Sequence, residues 1–173
     1  MPKNRPPHGN AEGTLDSKCR ATVPTRMRPM FDGIEQELVL WEPSGVKQPY
    51  LLLTSEDYFD EIVAREYDRA APEDRENLIH DVWGHMDYIE LDSAARFVIP
   101  DKYFPKAGFG KGEKIFFMAN GTYIEIWPLA VWRHTENERR GDHSVMVHTP
   151  SPSQRVEEAI RRTADEDRGP DDA

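Results

Sequence analysis

The chain contains one sequence pattern twice, and this internal repeat constrains the fold more than any other feature. Residues 15–24 return as residues 91–100, 76 positions later, with the shared pattern Leu-Asp-Ser-x-x-Arg-x-x-[Val/Ile]-Pro. Two later stretches repeat in the same order, residues 38–40 as 115–117 and residues 50–53 as 123–126. A repeat of this length predicts two copies of one supersecondary unit. Each copy is too small to bury its apolar side chains alone, so the two are expected to pack together around a pseudo-twofold axis.

Each copy contains three segments that predict short β-strands. The segments are rich in β-branched, aromatic or leucine residues and are bounded by Pro, Gly or Asp. They cover residues 19–23 and 95–99, 37–41 and 114–118, and 50–54 and 123–127. Asn120-Gly121 lies between residues 114–118 and 123–127 and is typical of a hairpin turn.

The stretch between the two copies predicts helices. Ser55 is a suitable N-cap for a helix whose apolar residues at 58, 59, 62, 63 and 67 follow a helical period. Pro72 is suited to begin a second helix, in which Leu78, Ile79 and Val82 share one face.

These elements predict a mainly β fold with helices between the two copies. We expect a flexible N-terminal arm over residues 1–9, a first unit over 10–55 and an acidic helical linker over 56–85. A second unit follows over 86–130, and residues 131–173 form an acidic, mostly disordered tail with a short helix near 156–163.

The charge of the chain is unevenly distributed. The net charge is −10, which by itself argues against a nucleic-acid partner. Residues 55–87, however, hold eleven acidic and three basic residues, whereas residues 1–30 hold six basic and two acidic ones. A basic face at the N-terminal end of the sequence therefore remains available for DNA.

Several other functions are disfavoured by the sequence. The chain has one cysteine, Cys19, and no run of eighteen apolar residues, which fits a cytoplasmic protein without a membrane span. His80 and His85 are spaced by five residues with Gly84 between them, which does not match a metal pair on one helix face. The glycines at 108, 110 and 112 lack phosphate-loop spacing. We therefore predict no enzyme, no catalytic residue, no metal, no cofactor and no small-molecule substrate.

The repeated motif resembles the MraZ family, whose members carry tandem AbrB-like (SpoVT-AbrB) units in one chain. The family pattern Leu-Asp-x-Lys-Gly-Arg-x-x-[Ile/Val]-Pro, followed by Arg, is similar to residues 15–24 with Arg28. Its second Leu-Asp-x-x-Gly-Arg stretch and its Glu-Ile-Trp are similar to residues 91–96 and 125–127, and Ala-Gly-Phe at 107–109 is similar to the family's Ala-Gly-Leu. The likeness covers about residues 12–132.

The resemblance implies a fold and a function. The fold would be an intertwined, pseudo-twofold β barrel of the AbrB type. The function would be transcriptional regulation by sequence-specific binding to direct repeats in double-stranded DNA, upstream of a division and cell-wall gene cluster. The protein would act as a ring-like homo-oligomer on the nucleoid. One departure concerns the family glycine before each motif arginine, which is Cys19 in the first copy and Ala95 in the second. If that position needs a positive φ, these side chains are strained there; otherwise the loop differs, or the glycine does not need that conformation.

Five basic residues are the candidate DNA contacts. Arg20 is the first choice, because a guanidinium can form a bidentate hydrogen bond to guanine or bind a phosphate. The others are Lys18, Arg26, Arg28 and Arg96. Asp16, Asp92, Pro24 and Pro100 are expected to hold the structure of the motif.

Alternative interpretations remain at this point. Asp16 and Arg20, like Asp92 and Arg96, could pair only to fix a turn. The protein could also be an oligomeric interaction scaffold of the same fold that has lost DNA binding and recruits a basic partner through its acidic segments. A third interpretation, an antitoxin of the wider AbrB superfamily, fits the duplication less well.

Overall fold

The computed structural model of the chain describes residues 8–32, 37–43 and 49–141. These residues form mainly β-sheet with some helices. The strands are β1 (His8–Thr14), β2 (Arg20–Thr22), β3 (Leu38–Trp41), β4 (Leu51–Ser55), β5 (Met86–Ile89), β6 (Arg96–Val98), β7 (Lys114–Asn120) and β8 (Tyr123–Pro128). The α-helices are α1 (Glu56–Arg69), α2 (Arg75–Gly84), α3 (Phe104–Ala107) and α4 (Leu129–Gly141), and two 3-10 helices cover Thr25–Met30 and Asp101–Tyr103.

The strands form a six-stranded sheet and a separate two-stranded ribbon. The order in the large sheet is β1-β7-β8-β4-β3-β5, with all neighbours antiparallel. The ribbon consists of β2 and β6, also antiparallel. Strands of the two sequence copies pair with each other at three places in this sheet, β1 with β7, β4 with β8 and β3 with β5.

The apolar residues of the large sheet divide between its two faces, as the alternation of side chains along a strand requires. One face joins the main core, which includes Leu40, Leu53 and Phe117 from the sheet and Ala21 and Phe97 from the ribbon. Residues from the opposite face pack against helices. Val39 contacts the cluster formed by α1 and α2, and Phe116 and Trp127 contact the start of α4. The ribbon consequently lies on one face of the sheet, and α1, α2 and the start of α4 lie on the other.

All six strands predicted from the repeat are confirmed, with small changes at their ends. The Ser55 cap is also confirmed, because its Oγ accepts a hydrogen bond from the backbone N–H of Tyr58, and α1 begins at Glu56. The second linker helix begins at Arg75, so the prediction that it opens at Pro72 is wrong; residues 72–74 form a turn in which Asp74 N–H donates to Ala71. Strands β1 and β5 and helix α4 were not predicted.

The barrel predicted from the resemblance is not closed in the described residues. Strands β1 and β5 are the two edges of the large sheet and do not pair with each other. The ribbon closes the core in a different way, by packing Ala21 and Phe97 onto one face of the sheet. An open sheet covered by a ribbon thus replaces a continuous ring of hydrogen-bonded strands.

The chain divides into two compact parts, residues 1–135 and 136–173. All eight strands lie in the first part, and the end of α4 is the described portion of the second. The predicted arm up to residue 7, with Lys3 and Arg5, and the predicted tail beyond residue 141, with its helix near 156–163, lie outside the described residues. None of the helices in the described ranges is long and apolar enough to cross a membrane.

Candidate nucleic-acid interface

The first motif folds into a tight loop that is organised by one carboxylate. Asp16 Oδ1 accepts hydrogen bonds from the backbone N–H groups of Lys18 and Arg20, at 2.8 and 2.9 Å. Its Oδ2 accepts the Nε–H of Arg20 at 2.7 Å. The backbone closes the same loop, since Cys19 N–H donates to the Asp16 carbonyl and Asp16 N–H donates to the Arg20 carbonyl. Asp16 therefore fixes both the backbone and the guanidinium of Arg20.

The second motif forms the same loop with the same bonds. Asp92 Oδ1 accepts the backbone N–H groups of Ala94 and Arg96, both at 2.9 Å, and Asp92 Oδ2 accepts the Nε–H of Arg96 at 2.7 Å. The expectation that Asp16 and Asp92 hold the motif is consistent with these bonds. The shared Leu-Asp-Ser-x-x-Arg pattern is the sequence signal for a repeated loop.

The residue before each motif arginine has a left-handed backbone. Cys19 and Ala95 both have φ of 58°, and they are the non-glycine residues with positive φ within the described ranges. A three-residue hairpin loop commonly ends in a left-handed residue, which is why glycine suits this position. Of the alternatives left open by the sequence, the structure shows the strained one. Backbone strain of this kind occurs often at functional sites.

The two loops lead into the ribbon, which places both motif arginines on one exposed face. Arg20 lies opposite Val98, and Thr22 lies opposite Arg96, so the four side chains share a face. Ala21 and Phe97 point the other way and are buried in the core. We call the exposed set Arg20, Thr22, Arg96 and Val98 the ribbon face. Arg20 and Arg96 are diagonal neighbours on it, with Cα atoms about 7–8 Å apart by the usual geometry of antiparallel strands.

Each motif arginine is held by its Nε and keeps its outer nitrogens available. Arg20 bonds Asp16 through Nε, and its terminal Nη groups have no hydrogen-bond partner among the described residues. The same holds for Arg96 and Asp92. The side chains of the two arginines are 29% and 38% exposed, so these Nη groups are reachable from solvent. The Asp–Arg pairs therefore do more than fix a turn, because each also leaves the two Nη groups of its arginine available as hydrogen-bond donors.

The carboxylates of the loops are strongly stabilised in their charged form. Hydrogen bonds from the Arg20 backbone and guanidinium and from the Lys18 backbone lower the pKa of Asp16 from 3.8 to about 2. The corresponding bonds from Arg96 and Ala94 lower the pKa of Asp92. Both carboxylates stay ionised at neutral pH, so both arginines keep their orienting partner.

The remaining three candidate residues belong to the first sequence copy and lie at opposite ends of β2: Lys18 precedes the strand, and Arg26 and Arg28 follow its other end, where Val23 N–H donates to the Ala95 carbonyl. Lys18 is exposed within the loop and has no ion pair with any described residue. Arg26 and Arg28 lie in the 3-10 helix that begins directly after Pro24. Arg28 Nε donates to the carbonyl of Val23 at 3.0 Å, next to the end of β2. Pro24 and Pro100 are the N-caps of the two 3-10 helices that follow the ribbon strands.

Two residues of the ribbon face were not predicted from the sequence. The exposed Thr22 and Val98 complete the ribbon face, and Val98 is 51% exposed although it is apolar. The alternation within residues 19–23 and 95–99 was the available signal, but it does not reveal that the two strands pair with each other. No group of three or more His, Cys, Asp or Glu side chains suited to a metal occurs in the ranges that the structure covers.

Comparison with known proteins shows which family the chain belongs to. No family model matches the chain. The chain is 32% identical over 129 residues to the transcriptional regulator MraZ of Histophilus somni (strain 2336), which covers 72% of this chain and 81% of that protein. The chain belongs to the MraZ family. In the sequence pattern that the motif resembles, glycine stands at the positions of Cys19 and Ala95, and a residue without a Cβ is unstrained in their left-handed conformation.

Proposed function

We propose that this chain is a sequence-specific, DNA-binding transcriptional regulator of the MraZ kind. The observation that carries the proposal is the ribbon face, on which Asp16 and Asp92 each hold an arginine by its Nε. A two-stranded β-ribbon fits the major groove of B-DNA, and an arginine that presents two outer nitrogens can pair with O6 and N7 of guanine. The family relationship supports the same conclusion.

In this proposal the five basic residues have two roles. Arg20 and Arg96 read base edges from the ribbon face. Lys18, Arg26 and Arg28 bind phosphates and fix the register of the protein on the duplex, without reading sequence themselves. The exposed methyl groups of Thr22 and Val98 lie between the arginines and are suited to contact a thymine methyl group.

We propose that the two sequence copies form one intertwined, pseudo-twofold unit. The strand order of the large sheet supports this. When each strand is replaced by its equivalent in the other copy, β1 by β5, β3 by β7 and β4 by β8, the same order results, read from the other edge. The ribbon supports it as well. Val23 N–H donates to the Ala95 carbonyl, and the equivalent Ile99 N–H donates to the Cys19 carbonyl. A ring-like homo-oligomer of such units would present several ribbon faces to direct repeats in DNA, and weak contacts would add by multivalency.

The cellular role follows from the same proposal. The protein would act in the cytoplasm on the nucleoid, at repeats upstream of a division and cell-wall gene cluster that includes its own gene. A second candidate function is an oligomeric scaffold that has lost DNA binding. It is favoured by the acidic α1–α2 segment and by the strain at Cys19 and Ala95.

Fluorescence anisotropy distinguishes the two functions. The duplexes are the region upstream of the protein's own gene and a shuffled sequence of equal length, measured across a salt series. The regulator predicts preference for the first duplex, affinity that falls steeply with salt, and loss of binding in Arg20→Ala. Arg69→Ala is a matched control, because Arg69 is exposed on α1 and pairs with Glu66. Equal or absent binding to both duplexes by folded, oligomeric protein contradicts the regulator and favours the scaffold.

A further inference from the structure

The two copies differ in the charge that they bring to the DNA face. The motif arginines Arg20 and Arg96 are equivalent, at the 76-residue spacing of the repeat. The basic residues around them match at one position only. The pairs at the same spacing are Lys18 with Ala94, Arg26 with Lys102, and Arg28 with Phe104. Lys102 is therefore the one basic residue of the second copy that matches an accessory basic residue of the first.

Lys102 is held by groups of its own copy. Its Nζ lies 2.8 Å from Asp87 Oδ2 and donates to the Met86 carbonyl at 3.2 Å. It also lies 5.0 Å from the centre of the Tyr103 ring. The Tyr103 hydroxyl donates to the same Asp87 carboxylate at 2.7 Å and so fixes it in place. The charge of Lys102 is thus neutralised by a carboxylate on β5, whose position is set by a buried tyrosine.

Arg26 has no such partner among the described residues. The residue equivalent to Asp87 in the first copy is Ala11 on β1, which carries no charge. The Arg26 guanidinium instead lies over the backbone of β1, and a Cβ built on Gly9 would be 3.8 Å from its Nη1. Arg26 is exposed and makes no ion pair with any described residue.

We propose that Asp87 keeps Lys102 from binding DNA phosphates, so that the accessory phosphate contacts come from residues of the first copy alone. This inference rests on the DNA-binding function proposed above. Phosphate binding by Lys102 would require its separation from Asp87, and the carboxylate itself repels the phosphate. The second copy then contributes Arg96, which reads bases, while Lys18, Arg26 and Arg28 supply the phosphate contacts. A chain with two similar halves would in this way bind with a fixed polarity on DNA.

The salt dependence of binding counts phosphate contacts and therefore tests the proposal. Each contact adds roughly 0.9 to the slope of log affinity against log salt concentration, for each subunit on the DNA. The proteins compared are wild type, Arg26→Ala, Lys102→Ala, Asp87→Asn and the double variant Asp87→Asn/Lys102→Ala. Asparagine keeps an oxygen that can accept from Tyr103 but removes the negative charge. Melting temperature and elution volume confirm that each variant is folded and assembled.

The proposal predicts different responses from the equivalent residues Arg26 and Lys102. Arg26→Ala lowers the slope by about 0.9 per bound subunit, whereas Lys102→Ala leaves it unchanged. Asp87→Asn raises the slope by about 0.9, which adds a roughly 3- to 4-fold loss of affinity between about 50 and 200 mM salt. The added Lys102→Ala change removes that gain.

Two results overturn the inference while leaving the proposed function intact. One is a Lys102→Ala slope that falls as far as that of Arg26→Ala. This result does not depend on the Asp87 variant being folded. The other is a folded Asp87→Asn protein with the wild-type slope. If wild type itself shows no salt-dependent DNA binding, the proposed function fails and the inference fails with it.

Discussion

The left-handed backbone at Ala95 predicts that glycine at this position stabilises the protein. Ala95 has φ of 58°, where the Cβ of an L-residue crowds the following carbonyl group. The loop cannot relieve this strain by rotating, because Ala95 N–H donates to the Asp92 carbonyl and the Ala95 carbonyl accepts from Val23 N–H. Ala95→Gly removes the Cβ and leaves all these backbone bonds in place.

The magnitude follows from two opposing effects. A left-handed conformation costs an alanine about 1–2 kcal/mol, and this cost is removed. Glycine gives the unfolded chain more conformational freedom, which offsets about 0.4–1 kcal/mol of the gain. The free energy of unfolding should therefore rise by about 1 kcal/mol, which corresponds to a melting temperature about 2–4 °C higher for a chain of this size. Cys19→Gly should gain less, because the Cys19 side chain is also buried and its packing would be lost.

The assay is thermal unfolding followed by circular dichroism at one fixed protein concentration, because the proposed self-association would make the melting temperature depend on concentration. Ala94→Gly is the matched control. Ala94 is the exposed neighbour with an ordinary negative φ, so its substitution should lower stability by about 0.4–1 kcal/mol. Opposite shifts in the two variants support the reasoning. A decrease in Ala95→Gly equal to that in Ala94→Gly would refute it.

Three further predictions concern stability and pH. Gly13→Ala should lower the free energy of unfolding by about 1–3 kcal/mol in urea denaturation, because a Cβ there would lie 2.9 Å from the buried Phe117 ring. Gly84→Ala, at the last residue of α2, should instead raise it by at most about 0.5–1 kcal/mol, since an added Cβ meets no atom within 4 Å apart from its chain neighbours and the backbone of α2; a loss there would count against the helix assignment. The pKa of Asp16 is lower in the folded protein, so its stabilising contribution is complete above pH 3.8 and is lost as pH falls towards 2. Asp16→Asn should therefore show a shallower loss of stability over that window in acid titrations, and a decline as steep as wild type would show that other carboxylates dominate.

The sequence was sufficient to predict the strands of the repeated motif and their approximate limits. Period-two alternation and flanking turn residues are local signals, and the Ser55 cap is local as well. Strand β1 escaped prediction because His8–Thr14 is polar and contains two glycines. It is a strand because it pairs with β7 over seven residues, which is a long-range interaction. The polar helix α4 was missed for a similar reason, since its apolar residues are confined to its first turns against Phe116 and Trp127.

The candidate site was partly predictable for the same physical reason. The pairing of Asp16 with Arg20 is local, and the repeated motif indicated that it would recur at Asp92 and Arg96. The ribbon face forms because β2 pairs with β6, whose residues are about 76 positions away in the sequence. Pairing between strands so far apart cannot be predicted from a single sequence. The neutralisation of Lys102 by Asp87 is another such contact, between β5 and the turn after β6. Counting basic residues in the sequence therefore overstates the charge that the second copy can offer to DNA.

The most direct test of the central claim is the affinity ratio between native and shuffled duplexes in Arg20→Lys. Lysine keeps the positive charge but lacks the planar fork that pairs with guanine and the Nε that Asp16 holds. If Arg20 reads a base, Arg20→Lys should keep the wild-type salt slope and lose roughly 5- to 150-fold of the preference for the native duplex. An unchanged preference in Arg20→Lys would show that Arg20 contributes charge alone, and would contradict base reading by the ribbon face.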